Sequence, residues 1–356
     1  MLKQVPASLV SINVSSSIRD AAKSLNNSCL KVVLVVDGQN HLVGSVSDGD
    51  IRRGVLNGLT MDDCVTSIMN KAPVFVMAGT TLAEVKGLMI ARKVQQIPEL
   101  AISGEVSNLH VWDDLDTARP VENMMVIMAG GLGSRLKPLT DDCPKPMLKV
   151  ANAPILEHII SGARDSGIRN FTIALNYLGH VVKDYFEDGS QFGVNIDYIT
   201  EGQPLGTVGA LSLLRERAEK LPIIVINGDV LTSIDYSALL AFHSKSRAAA
   251  TLAVREYEWQ NPFGVVTTEG LDLVEFDEKP IHRCYVNAGI YVLQPHTLNL
   301  LQAGKPCNAP ELLMAIKAAG EEVKVFVMHE HWLDIGRPDD LAKAENVVNS
   351  VRKLTD

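Results

Sequence analysis

Met124-Met125-Val126-Ile127-Met128-Ala129-Gly130-Gly131-Leu132-Gly133-Ser134-Arg135-Leu136 is an apolar run that ends in three glycines within four residues. The run predicts a buried strand. The glycines free the backbone to turn its N–H groups toward one point, which suits a polyphosphate. Arg135 adds a charge-assisted, bidentate-capable contact. Glycine-rich turns after strands are common, so the neighbouring residues decide the reading. A dinucleotide fingerprint counted from Gly131 would need glycine where Leu136 stands, and the Gly-Lys-Ser/Thr ending of a Walker loop is absent. Ten residues after Arg135 comes Pro144-Lys145-Pro146. Flanking prolines predict an extended segment that presents one cation at fixed reach.

Downstream, short apolar runs at Phe171–Leu175, Ile223–Ile226 and Thr251–Val254 alternate with helix-length stretches. That alternation predicts βαβ units and a mostly parallel sheet, an α/β fold. Upstream, a fixed offset of 64 residues carries Val14 to Ala78, Ile18 to Leu82, Leu25 to Met89, Val33 to Ile97, Leu42 to Val106 and Ile51 to Leu115. Small or apolar positions stay so without a gap, the mark of a duplicated unit. Each copy predicts an amphipathic helix (18–25; 82–89), a β hairpin and a second helix start. In the first copy the hairpin runs 31–36, turns at 37–40 and returns over 42–46. The polar, Pro-bearing stretch 113–120 marks a boundary. We therefore expect repeats at about 1–58 and 65–118 within a unit 1–120, then a second unit at 121–356.

Composition narrows the classes. Apolar residues make up 46% and the formal charge is −9, which argues against nucleic-acid or anionic-membrane partners. No apolar run approaches the ~20 residues of a membrane helix, and no signal-peptide core is seen. The five cysteines show no CxxC or zinc spacing and read as reduced, buried thiols in a cytoplasm.

The residues before position 118 resemble a pair of CBS motifs, an α+β module that commonly senses adenine nucleotides. The stretch Gly44 to Arg53 looks like the ligand segment of that family. The resemblance gives Ser47 a phosphate contact and Asp50 the ribose hydroxyls. In the second copy Asp114 remains, but Val111 replaces the hydroxyl residue. It implies a regulatory nucleotide, or a module that packs against its twin in a dimer or tetramer.

Gly130-Gly131-x-Gly133-Ser134-Arg135-Leu136 with Pro144-Lys145-Pro146 resembles the signature of the sugar nucleotidyltransferases, with Ser134 where the family usually has Thr. The resemblance continues in order through Glu201-Gly202-Gln203-Pro204-Leu205-Gly206-Thr207, Asn227-Gly228-Asp229, Phe263-Gly264, Glu278-Lys279-Pro280, Asn287-Ala288-Gly289 and Trp332-Leu333-Asp334. It implies a Rossmann-like, GT-A-like mixed sheet and Mg²⁺ held by Asp229 and Asp334. Arg135 would hold the leaving pyrophosphate, and Lys145 would neutralise the α-phosphate. Gly130, Gly131, Gly133, Ser134, Glu201, Gly206 and Thr207 would take the nucleotide. Gly264, Glu278, Lys279 and Asn287 would take the sugar phosphate. No covalent nucleophile is needed, and His329 and His331, alternating as on a strand, read as structural.

Glu201 falls where that family reads the base edge. A carboxylate only accepts, and guanine offers N1–H and the N2 amino group to its two oxygens, whereas uracil and thymine offer one donor between carbonyls. GTP is thus expected over UTP or dTTP. The CBS pair joined to a Ser-type loop resembles the glucosamine-1-phosphate guanylyltransferases of legionaminic acid synthesis, so glucosamine 1-phosphate is the expected sugar. Mannose and heptose 1-phosphates, and thymidylyl or uridylyl transfer, stay open. A glycosyltransferase would want Asp-x-Asp where Asn227-Gly228-Asp229 stands. A non-catalytic sensor would not need Arg135, Lys145, Asp229 and Asp334 together.

Overall fold

The computed structural model describes residues 2–28, 30–92, 94–112, 121–215 and 221–345. Asp114 and Cys29 lie outside them. In chain order the first strands are β1 (Leu2–Pro6), β2 (Ser11–Asn13), β3 (Val32–Val36), β4 (Leu42–Ser47), β5 (Val76–Met77), β6 (Gln96–Leu100) and β7 (Val106–Trp112). Helices α1 (Ile18–Ser28), α2 (Asp48–Leu56) and α3 (Leu82–Arg92) accompany them. The 64-residue offset carries α1 onto α3 and β3 onto β6 end for end. In one unit β2 runs parallel to β3, which pairs antiparallel with β4; in the other, β5, β6 and β7 repeat that arrangement. The units share a core in which Leu34 and Val36 meet Leu100, Leu109 and Val111. The first strand crosses over: β1 pairs antiparallel with β7 of the second unit.

The larger part continues with β8 (Val121–Met128), the short hairpin β9 (Lys149–Val150) and β10 (Ala153–Pro154), α4 (Ile155–Asp165), β11 (Ile168–Leu175), α5 (Gly179–Phe186), β12 (Asn195–Thr200), β13 (Ile223–Asn227) and β14 (Val230–Thr232). Then come α6 (Tyr236–Ser246), β15 (Ala250–Gln260), the hairpin β16 (Val265–Glu269) and β17 (Asp272–Asp277), β18 (Ile281–Leu293), α7 (Ala309–Ala318), β19 (Val323–Met328) and β20 (Trp332–Asp334). One seven-stranded sheet has the order β12-β11-β8-β13-β18-β15-β19. Its strands are parallel from β12 to β13, while β18 is antiparallel to both neighbours and β15 runs parallel to β19. The sheet is therefore mixed and mostly parallel. Apolar residues alternate between two cores, as the period of two requires. Met125, Ile127, Ile173 and Ile226 face one core, and Val126, Ala174 and Val225 face the other.

Among the described residues no helix is long and apolar enough to cross a membrane. The cysteines depart from expectation: Cys64 and Cys284 are exposed thiols, while Cys143 and Cys307 are half-buried. Cys64 and Cys284 sit where the chain skirts the surface, which periodicity alone does not reveal.

Candidate active site

Four parallel strands deliver their carboxyl ends to one edge of the sheet, where open α/β sheets take ligands. Glu201 follows β12 there, Asn176 follows β11, Gly130 follows β8 and Asp229 follows β13. Because β18 runs against β13, with Ile226 opposite Ile290, Asn287-Ala288-Gly289 passes the same edge. A cavity of about 290 Å³ opens here. Gly130, Gly131, Lys145, Glu201, Gly206, Thr207 and Asp229 line it, together with Asn227 and Pro146. A larger cleft of about 700 Å³ lies beyond β14 and β20, against α4, but none of the proposed phosphate-loop, base-reading or metal residues lines it. Size therefore does not choose the site; the convergence of charged groups does.

The glycine-rich loop is folded back on the lysine segment. At Gly133 φ is +62°, and a Cβ there would stand 2.9 Å from Thr140 Cγ2 and 3.2 Å from Lys145 Cβ. The buried Thr140 hydroxyl donates to the Gly133 carbonyl at 2.9 Å. Among the described residues no acceptor faces the N–H groups of Gly130, Gly131, Leu132 or Gly133. A run of such donors is an anion-binding concavity. Ser134 and Arg135 are exposed at its mouth. Lys145 is not in an extended segment. It opens a 3₁₀ turn, Lys145–Met147, because Pro146 suits an early helical position as well as an extended one. The turn is what aims its ammonium inward, where it forms an ion pair with Asp229.

Asp229 and Asp334 meet through the β14–β20 ladder, in which Val230 stands opposite Asp334 and Ile335 N donates to Asp229 O at 3.0 Å. Surrounding protein raises the Asp334 pKa above the usual carboxylate range, and the neighbouring Asp229 charge raises it further, against Lys145 and Arg135. Asp229 Oδ1 is buried without a hydrogen-bond donor among the described residues. Two crowded carboxylates with an orphaned oxygen fit a hard divalent cation that prefers oxygen ligands, and Mg²⁺ fits that description. Arg135 is near: a Cβ on Gly336 would lie 3.7 Å from its Nη1 and 3.9 Å from Asp334 Oδ1.

Glu201 is 6% exposed. Its Oε2 accepts the Leu205 N–H at 2.9 Å, and a Cβ on Gly130 would stand 3.1 Å from Oε1. One oxygen is thus already engaged by backbone and the other faces the start of the loop. This differs from two free oxygens, because the turn after β12 must satisfy its own N–H. Burial raises the Glu201 pKa, opposed by the Leu205 N–H. Gly206 (φ +77°) passes so close to α7 that a Cβ would stand 2.7 Å from Cys307 O. The Thr207 hydroxyl oxygen accepts Ala309 N at 2.9 Å, leaving its proton for a ligand.

The sugar-phosphate candidates are more dispersed. Gly264 and Glu278 adjoin, a Cβ on the former standing 2.9 Å from Glu278 Oε2. Both lie by the exposed β16–β17 hairpin, with Lys279 at φ +53° beside them, and none of the three lines the 290 Å³ cavity. Asn287 is at the sheet edge, where its Nδ2 donates to Tyr291 OH at 2.8 Å. Sequence reasoning quoted Asn227 in its motif but gave it no role; its Oδ1 is buried without a partner among the described residues. It missed Tyr291, and it quoted Trp332 within its motif without giving it a role; Trp332 Nε1 donates to Ala288 O at 2.8 Å, tying β20 to β18. Only the Asn before Gly228 carried a local signal.

His329 and His331 do not lie on a strand but in the bend between β19 and β20. In the first duplicated unit, Ser47 Oγ donates to Asp50 Oδ2 at 2.6 Å as part of a capping box for α2, and Asp50 pairs with Arg53. These three line a cleft of about 470 Å³ with Asn70 and Gln96.

Known proteins resemble this chain over both of its parts. A CBS domain description matches residues 3–57, the first duplicated unit. The mannose-1-phosphate guanylyltransferase of Mycobacterium tuberculosis is 35% identical over 61% of this chain and 62% of its own. That of Yarrowia lipolytica is 33% identical over 60% and 61%. The match thus spans about three-fifths of these relatives' length. The crystal structure of HddC from Yersinia pseudotuberculosis complexed with GMP-PN covers 63% of this chain and 98% of its own at 27% identity, with a TM-score of 0.50. The nucleotidyl transferase family description matches residues 124–350, a span that includes the glycine-rich loop, Lys145, Glu201, Asp229 and Asp334, and the chain belongs to that family.

Proposed function

We propose that the protein transfers a guanylyl group from GTP to a hexose 1-phosphate and releases pyrophosphate. The observation that carries this reading is the shared cavity. Donor-lined loop, Lys145, Asp229 and the buried Glu201 all border one space. A phosphate oxygen of the sugar 1-phosphate attacks the α-phosphorus in line, and the bond from that phosphorus to the bridging oxygen breaks as pyrophosphate leaves. Two anions must approach each other, so positioning and fixed cations carry most of the barrier reduction. The loop N–H groups and Arg135 would bind the departing phosphates. Lys145, released from Asp229, would face the α-phosphate. Asp229 and Asp334 would hold Mg²⁺, which when bound withdraws electron density from phosphoryl oxygens.

Among sugars, the names of the curated relatives put mannose 1-phosphate first. Glucosamine 1-phosphate remains the second reading, supported by the CBS-type unit before the transferase. A regulatory nucleotide at the Ser47–Asp50 cleft would have to exchange the contacts these residues make with each other and with Arg53. Pyrophosphate release over four NTPs against mannose, glucosamine, glucose and heptose 1-phosphates with Mg²⁺ tests the proposal. No release with any pair overturns it, and release with UTP or dTTP in preference to GTP overturns the base assignment.

A further inference from the structure

Segment 329–331 joins β19 to β20, and β20 has only three ladder pairs, all to the equally short β14. A strand that short does not fix its own position, and Asp334 is its last residue. What precedes it is held mainly from the other part of the chain. Arg52 of α2, only 9% exposed, donates from Nη2 to Glu330 Oε1 at 2.7 Å. The same guanidinium pairs with Asp48 one turn back and stacks 3.8 Å over the Phe326 ring of β19. Asp48 in turn meets His329 Nε2 through Oδ1. Burial works against the Asp48 carboxylate, but His329 and Arg52 outweigh it and hold its pKa below the usual range. His331 Nε2 reaches the Asn26 carbonyl of α1 at 3.1 Å. Three consecutive residues are thus gripped by α1 and α2, while Arg255 of β15 holds the Glu330 carbonyl at 2.5 Å from the transferase side.

We propose that Arg52 and Asp48 of the duplicated N-terminal module are positioning residues for Asp334, acting through His329 and Glu330. This rests on the reading of Asp334 as a metal ligand. Both carboxylates meet Arg52 at the same nitrogen, Nη2, while the flat face of the guanidinium lies on the Phe326 ring, a pairing of charge with planar stacking that a lysine ammonium does not reproduce. Left without it, Asp48 and Glu330 would face one another in a half-buried space, and the 329–331 bend would relax away from α2. The Asp334 carboxylate, a few residues on, would lose its fixed distance from Asp229. Outer-shell partners of metal ligands typically change metal affinity or activity 10- to 100-fold when removed. Asp48 and Arg52 also follow Ser47 on the same helix, so a ligand that moved the start of α2 would move this grip.

The same interface provides its own control. Asp62 pairs with Arg283 at 2.5 Å and with Arg19 at 3.2 Å, and among the described residues it bonds none of segment 329–334. In the full chain, Arg52→Met should weaken Mn²⁺ binding, measured directly by electron paramagnetic resonance, by about tenfold. Peptides covering 329–335 should exchange amide hydrogens faster, and kcat should fall with the KM for GTP nearly unchanged. Arg52→Lys should restore only part of the loss, and Asp62→Asn should change neither metal binding nor exchange in that segment. If Arg52→Met proves insoluble, Glu330→Gln, which keeps an acceptor, takes its place with the same expectations. Unaltered Mn²⁺ affinity and exchange in the substituted chain, or equal effects from Asp62→Asn, would overturn the proposal. Absence of pyrophosphate release by the unsubstituted enzyme would instead overturn the transferase reading, and the metal and exchange measurements would still decide this one.

Discussion

Glu201→Gln tests the base assignment most directly, because the structure dictates how the new side chain must sit. Leu205 N–H needs an acceptor and is buried with Oε2 at 2.9 Å. In the substituted protein the only acceptor is the amide oxygen, so the amide nitrogen must point toward Gly130 and the base. A donor then meets the N1–H and N2 amino donors of guanine. Replacing a charged hydrogen bond by none loses about 1.5–3 kcal/mol, and leaving a buried donor unpaired costs about 1–3 kcal/mol, with partial relief from repacking. A net 2–3 kcal/mol is roughly a 30- to 150-fold fall in kcat/KM for GTP relative to UTP. Uracil, which has carbonyl acceptors on either side of its N3–H, should gain rather than lose. Pyrophosphate release with each nucleotide at saturating sugar phosphate measures the ratio. A change of less than about threefold, against the factor of ten that 1.4 kcal/mol represents, would refute guanine reading by Glu201. The substitution also removes a buried charge whose pKa is raised by that burial, so the ligand-free protein should melt no lower than the parent.

Three further outcomes follow from the site. Lys145→Ala should lower turnover at least ~100-fold, and a near-normal rate would remove this lysine from the chemistry. Asp334 has a raised pKa in the folded protein, so ionising it costs the folded state more than the unfolded one. Metal-free protein should therefore lose stability as pH climbs from the ordinary carboxylate range through that raised value. Asp334→Asn should flatten the fall and abolish stabilisation by Mg²⁺ in thermal scans; a melting point that still rises with Mg²⁺ as in the parent would exclude ligation. Gly206→Ala forces a left-handed residue to carry a Cβ 2.7 Å from Cys307 O, which should cost about 1–2 kcal/mol for the conformation alone and raise the KM for GTP. Unchanged denaturant midpoint and KM would contradict it.

What could be read from the sequence was local or periodic. The strand-loop unit at 124–136 and the 64-residue offset are both of that kind, and each corresponds to a compact piece of structure. Asp229 and Asp334 were nameable by resemblance, but their adjacency depends on a three-residue ladder between segments a hundred positions apart. Arg52 with Glu330 left no trace at all. A buried arginine in an amphipathic helix reads as one more solvated charge until the facing strand is known. The 3₁₀ turn at Lys145 shows the converse limit, since a proline-flanked residue has two low-energy backbones and packing against Gly133 selects between them.

The crossing of β1 onto β7 has a consequence for how the chain is made. Leu2 pairs with Trp112 and Pro6 with Asn108, so the strand made earliest within this module is among the last of the module to find its partner. While the ribosome extends the chain, β2, α1, β3 and β4 can close around their own core, leaving β1 waiting with an unsatisfied edge. The second unit then closes on a strand already tethered to the first. Neither half is a self-contained cassette, and a cut in the turn between them would yield one fragment missing an edge strand and another carrying a stray one.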